Sequence, residues 1–146
     1  MRFLEDLSIG ETAETPQYLI TREEIIDMAS RWDPQPFHID EDVAKAGLFG
    51  DVIACTAHLF SVMSMLCNQL PEHKKPAMIA GLGFDEAKTH RPVMPNDTVR
   101  VEVETIEARP SDSNPSRGVM TWQHKMFNQD DVLVFSMKSS VLVKRR

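Results

Sequence analysis

The sequence predicts an α+β domain in which a curved antiparallel sheet wraps around one central hydrophobic helix. Three observations carry this expectation. The run Val52 to Leu70 contains no Asp, Glu, Lys or Arg and places apolar residues at helical spacing. From Ala77 onward the pattern changes to period two, with Val99, Val101 and Val103 alternating against Arg100, Glu102 and Glu104. The order of elements, an extended start, then helices, then a run of strands, is that of an α+β chain rather than of alternating strand and helix.

Taken in order, Thr12 to Ile20 reads as a first strand. Thr21 followed by Glu24 forms a capping box, and Ile25, Met28, Ala29 and Trp32 recur on one face of the helix it opens. That helix must end near Asp33, because Pro34 follows. Asp40 is a second N-cap, opening a short helix through Ala46 that Gly47 closes. The apolar helix spans roughly Ala57 to Gln69, with Leu59, Val62, Met63 and Leu66 at core spacing and Pro71 beyond its end. Four strands follow, at about 78 to 88, 97 to 108, 118 to 127 and 132 to 143. Their turns are Pro95-Asn96-Asp97, the polar stretch Pro110 to Ser116, and Asn128-Gln129-Asp130-Asp131. Neither one apolar helix nor a meander can bury its face alone, so the sheet is expected to curl around the helix as in the hotdog fold. Such a sheet keeps an open edge, which makes a homodimer or higher homo-oligomer the default expectation.

At 146 residues the chain fits a single domain, 1–146, able to bury roughly two-thirds of its unfolded surface. A hydrophobic content of 42% with 26% charged residues is that of an ordinary globular protein. The polar residues His58, Ser61, Ser64, Asn68 and Gln69 inside the apolar run argue for a buried helix and against a membrane span. The start Met1-Arg2-Phe3-Leu4-Glu5-Asp6 lacks the apolar core of a secretory signal, so a cytoplasmic protein is expected. A net charge of −6 speaks against a nucleic-acid surface, since Lys144-Arg145-Arg146 is the only basic run. Cys55 and Cys67 stand about 18 Å apart if the intervening chain is helical, too far for a disulfide. No Cys/His grouping has zinc spacing, and no metal is expected.

The segment Asp33-Pro34-Gln35-Pro36-Phe37-His38 is the candidate site. Each proline fixes its own φ and pushes the residue before it toward extended geometry, so a carboxylate and an imidazole are held on a stiff connection between two helix ends. A carboxylate that orients an imidazole of near-neutral pKa makes an adjustable general base. Two readings are open on these residues alone: an acid-base pair, or a proline-rich turn in which Asp33 caps a helix and His38 bonds the backbone.

This loop, with Phe3-Leu4-Glu5-Asp6-Leu7-Ser8-Ile9-Gly10, Gly50-Asp51-Val52-Ile53-Ala54, Phe84-Asp85-Glu86, Arg91-Pro92-Val93 and Pro95-Asn96-Asp97-Thr98, resembles the MaoC-like hydratases, which include the R-specific enoyl-CoA hydratases. The loop is the most specific part: the family writes it as Asp, any residue, Asn or Gln, Pro, an apolar residue, His. The resemblance implies a hotdog fold and a hydro-lyase that adds water across the 2,3 double bond of an enoyl-CoA thioester, or removes it. It implies Asp33 and His38 as the catalytic pair, no cofactor beyond the CoA thioester substrate, and no metal. It further implies that negative charge on the thioester oxygen meets backbone donors at the start of the central helix, here Thr56 and Ala57. Ser61 falls where the family often has a serine supporting the pair. An ordinary helical serine bonded to the carbonyl four residues earlier is the other reading of that residue.

Thr56 is the main departure, because it stands where the family has glycine. Either its Cβ resists positive φ and its branched side chain crowds the thioester, or its hydroxyl serves as an N-cap and occupies an amide a substrate oxygen would meet. Both point to a changed substrate preference or lost activity. His58 reads as a partly buried helix residue, Cys55 and Cys67 as small buried hydrophobes, and His73, His90 and His124 show no partner in sequence. Two alternatives to a hydro-lyase remain. One is an acyl-CoA thioesterase, disfavoured by the lack of Asp or Glu on the apolar helix. The other is a non-catalytic acyl-thioester-binding protein, favoured by Thr56.

Overall fold

The computed structural model describes residues 1–146. A turn of 3-10 helix at Leu4–Asp6 precedes β1 (Thr12–Glu14) and β2 (Tyr18–Leu19). Four helices follow: α1 (Arg22–Trp32), α2 (Pro36–Ile39), α3 (Glu41–Ala46) and α4 (Thr56–Asn68). Four long strands complete the chain: β3 (Met78–Thr89), β4 (Thr98–Pro110), β5 (Arg117–Phe127) and β6 (Leu133–Lys144). The sheet is antiparallel with order β1-β4-β5-β6-β3, and β2 adds to β4. No helix is long and apolar enough to cross a membrane.

Alternation along β4 buries Val99, Val101, Val103 and Thr105 on one face, as the period-two pattern requires. These valines join Leu59, Val62, Met63 and Leu66 of α4 and Met120, Met126, Val134 and Phe135 of the next strands in one core. The sheet thus curls around α4, which is the hotdog fold. Fully burying each such side chain contributes about 1.5–3 kcal/mol, so the four α4 residues are a large part of what holds the helix against the sheet.

Several expectations need correction. The strand Thr12 to Ile20 is two short strands, because Thr15 turns inward, its hydroxyl accepting from the Val101 amide at 2.9 Å, and Pro16 follows. The capping box is half formed. The Thr21 hydroxyl accepts from the Glu24 amide, but the Glu24 carboxylate accepts instead from the Tyr18 hydroxyl at 2.9 Å. On α1 only Ile25 and Ala29 are buried, and Trp32 is 71% exposed, in the last turn before Pro34 breaks the helix. Before the prolines the expectation holds, with Gln35 extended at φ −69°, ψ 138° and Asp33 non-helical at φ −155°, ψ 72°, but the helical turn that follows was not expected. Pro34 ends α1, whereas Pro36 occupies the first position of α2, where a missing N–H costs nothing and φ is already helical.

β3 lies at the open edge of the sheet, and of its 12 residues only Gly83 is less than exposed. Met78, Ile79, Leu82 and Phe84 are large apolar side chains left uncovered there.

Candidate active site

Asp33 is the C-cap of α1 and His38 lies on the single turn of α2, so two prolines and two helix ends fix their separation. The ring of His38 is buried, and its Nε2 faces Asp33 Oδ2 at 3.6 Å. Its Nδ1 donates to the Ile53 carbonyl at 2.6 Å. A carbonyl can only accept, so the neutral ring carries its proton on Nδ1 and turns the lone pair of Nε2 toward Asp33. Two acceptors therefore oppose each other across a gap too wide for a direct hydrogen bond.

Ile53 is held in turn by its neighbours. The Arg22 guanidinium binds the Asp51 carboxylate through both nitrogens, with Nη2 at 2.7 Å from Oδ2, and Asp51 accepts from the Val52 amide at 2.8 Å. That arginine, followed by the amide bond, holds the Asp51 carboxyl below its ordinary range despite partial burial.

Asp33, His38 and Thr56 line one cavity of 460 Å³, with Phe37 and Phe49 among its apolar walls and Thr89, His90 and Arg91 also in its lining. Two expectations for Thr56 are corrected, that it resists a positive φ and that it caps α4, while the residue does line the cavity. Thr56 has no positive φ and is not the N-cap; Cys55 is, in extended geometry and with no side-chain cap. Thr56 is the first helical residue, a position any side chain tolerates. The amides of Thr56, Ala57 and His58 consequently have no acceptor, and the Thr56 end of the helix meets the cavity. Ala57 is not among the residues lining it. Ser61 does not reach Asp33: its exposed hydroxyl donates to the Ala57 carbonyl at 2.9 Å, the ordinary helical bond.

Of the other histidines, His90 and His124 acquire hydrogen-bond partners that no sequence pattern announced. His58 is buried, with Nε2 3.2 Å from Glu24 Oε1 in a geometry too bent for a hydrogen bond. His90 Nε2 meets the Ser136 hydroxyl at 2.7 Å. His124 sits between Ser139, 2.7 Å from Nε2, and the Cys67 sulfur, 3.5 Å from Nδ1. Burial drives this last pair toward neutrality, pushing His124 down to about 4 and the Cys67 thiol up to about 12. Both cysteines are free thiols.

Residues 6–125 match the family model described as MaoC like domain. The chain belongs to the MaoC-like dehydratase family. A MaoC-like dehydratase from Rhodospirillum rubrum is 32% identical, with a TM-score of 0.92 over 100% of this chain and 99% of that one. The uncharacterized protein YdeM of Bacillus subtilis (strain 168) is 28% identical over 97% of this chain and 99% of its own length. The R-hydratase PhaJ1 of Pseudomonas aeruginosa, 23% identical, shares the fold with a TM-score of 0.76 over 99% of this chain and 86% of that one. Membership in this family gives a hydratase or dehydratase type of function.

Proposed function

We propose that the protein is a hydro-lyase that reversibly hydrates a 2-enoyl thioester, of the acyl-CoA type, to the 3-hydroxyacyl thioester, with Asp33 and His38 as its acid-base pair. The observation that carries the reading is the 3.6 Å gap between His38 Nε2 and Asp33 Oδ2, two acceptors with the imidazole proton committed to Ile53. One water fits there by donating a hydrogen bond to each. As its oxygen bonds C3, a proton passes to the pair and the π electrons move onto the thioester as an enolate. A proton from the pair then goes to C2, so exactly one water is added and the pair returns to its starting state. The free amide of Thr56 is the donor for the enolate oxygen. An aimed donor of this kind contributes about 3–4 kcal/mol, and acid-base help about 10²- to 10⁴-fold.

An apolar cavity of 310 Å³ between α4 and the first half of β3, walled by Phe60, Met63, Met78, Phe84 and Trp122, suits the acyl tail. The uncovered β3 edge suits a second copy of the chain, since a long apolar edge strand left open invites pairing. The absence of a membrane-crossing helix accords with a cytoplasmic enzyme.

The test is hydration of crotonyl-CoA, followed by loss of enoyl-thioester absorbance, in the wild type, Asp33→Asn and His38→Gln. Activity is expected to fall by at least 100-fold in each variant while near-ultraviolet circular dichroism stays unchanged. Wild-type rates in either variant would reject the assignment. Release of free thiol would mean a thioesterase, and tight binding without turnover a non-catalytic carrier.

A further inference from the structure

We propose that Thr89, His90 and Arg91 form an anion subsite in the Asp33–His38 cavity, and that the thioester ligand carries a carboxylate or a phosphate to it. The inference rests on the reading of this cavity as a thioester site. Arg91 is the only Lys or Arg in the lining. Seven of the nine arginines are paired with a carboxylate, namely Arg2, Arg22, Arg31, Arg100, Arg109, Arg145 and Arg146. Arg91 is not. It spends one donor on the His90 carbonyl at 3.0 Å, which leaves most of a planar five-donor fork unspent.

Its neighbours are placed to help. Thr89 ends β3 opposite Phe135, and the His90 amide donates to the Val134 carbonyl at 2.8 Å, so this wall is tied to β6. His90 is oriented by Ser136 through Nε2, leaving Nδ1 without a protein partner, and the Thr89 hydroxyl makes no hydrogen bond. Pro92 then holds Arg91 away from helical geometry. Arg91 also opposes the local charge, since the chain carries a net charge of −6 and the cavity already holds Asp33. An anionic ligand is repelled unless something in the pocket offsets both.

The experiment measures dissociation constants by calorimetry at low salt in proteins that all carry His38→Gln, so that no ligand is turned over, with Arg91 as in the wild type, Arg91→Gln or Arg91→Lys. Four ligands separate the sources of charge: the crotonyl and fumaryl monothioesters of N-acetylcysteamine, crotonyl-CoA, and CoA itself. If the anion is a substrate carboxylate, the protein with Arg91 prefers the fumaryl over the crotonyl N-acetylcysteamine thioester, and Arg91→Gln collapses that ratio at least tenfold. If it is a phosphate, the ratio that collapses is crotonyl-CoA over its N-acetylcysteamine counterpart, together with binding of CoA. Arg91→Lys recovers part of either, because the charge returns without the fork. The subsite is rejected if the protein with Arg91 has no preference for an anionic ligand, or if Arg91→Gln leaves both ratios as they were. Because binding is read without turnover, loss of the hydration reading through an active Asp33→Asn enzyme is a separate result.

Discussion

The Nδ1 of His38 donates to the carbonyl of Ile53, 15 residues along the chain, at 2.6 Å, and this bond decides which ring nitrogen is available as a base. A glutamine at position 38 can still donate to that carbonyl but cannot accept a proton. His38→Gln is therefore expected to keep the fold, with an unchanged denaturation midpoint, and to lose about 10²- to 10⁴-fold in hydration rate. An active, folded His38→Gln enzyme would remove His38 from the chemistry.

Arg22 acts on the same bond from a distance. Its fork on Asp51 holds the segment that carries Ile53, so Arg22→Ala frees that carbonyl to shift and His38 with it. Since a misplacement of about 1 Å can cost up to 10²-fold, kcat for enoyl-thioester hydration should fall by about 10- to 100-fold with KM little changed. Rescue by Arg22→Lys should be partial, because a lysine cannot make both bonds. A change confined to thermal stability would assign Arg22 a structural role only.

Cys67 stands on the wall of the apolar cavity along α4. Cys67→Trp fills space that a longer acyl chain needs and a short one does not. Octenoyl-CoA hydration is expected to drop about 10- to 100-fold relative to crotonyl-CoA. Equal loss for both chain lengths would place the acyl tail elsewhere.

His124 supplies a pH signature. Burial holds its pKa down at about 4 in the folded protein, against about 6.5 when the chain is unfolded. Between those values the unfolded state binds the extra proton, so the contribution is fully present above pH 6.5 and is lost as pH falls toward 4. The loss is on the order of 3 kcal/mol. Urea unfolding from pH 7 to 4.5 should show a shallower acid decline for His124→Gln than for wild type, and parallel declines would contradict the assignment.

Gly118 tests the packing of β5 against the N-terminal turn. A Cβ there would stand 2.7 Å from the Arg109 carbonyl oxygen and 2.5 Å from Leu4 Cδ2. The backbone contact cannot yield as a side chain would. Gly118→Ala is expected to destabilise by about 1–3 kcal/mol, read as a lower urea midpoint.

Periodicity made most of the fold legible. Leu59, Val62, Met63 and Leu66 bury where the helical spacing puts them, and the four long strands fall within a residue or two of their expected limits. Where a pattern was short, it misled. Pro36 starts a helical turn because proline suits the first helical position, and Thr12 to Ile20 divides at Thr15, whose hydroxyl takes the amide of the distant Val101. The departure at Thr56 was visible in sequence, but its meaning depended on which residue caps α4, and Cys55 does.

The order of residues by itself determined the element types, the central apolar helix, and the stiff double-proline connection that keeps Asp33 and His38 close, since these follow from φ restriction and from repeats of 2 and 3.6 residues. Tertiary structure alone decided the proton position on His38, the neutral Cys67–His124 pair formed across 57 residues, and the placing of Arg91 in the same cavity as Asp33. Contacts of that kind join segments with no shared period, so they exist only once the sheet has closed around α4.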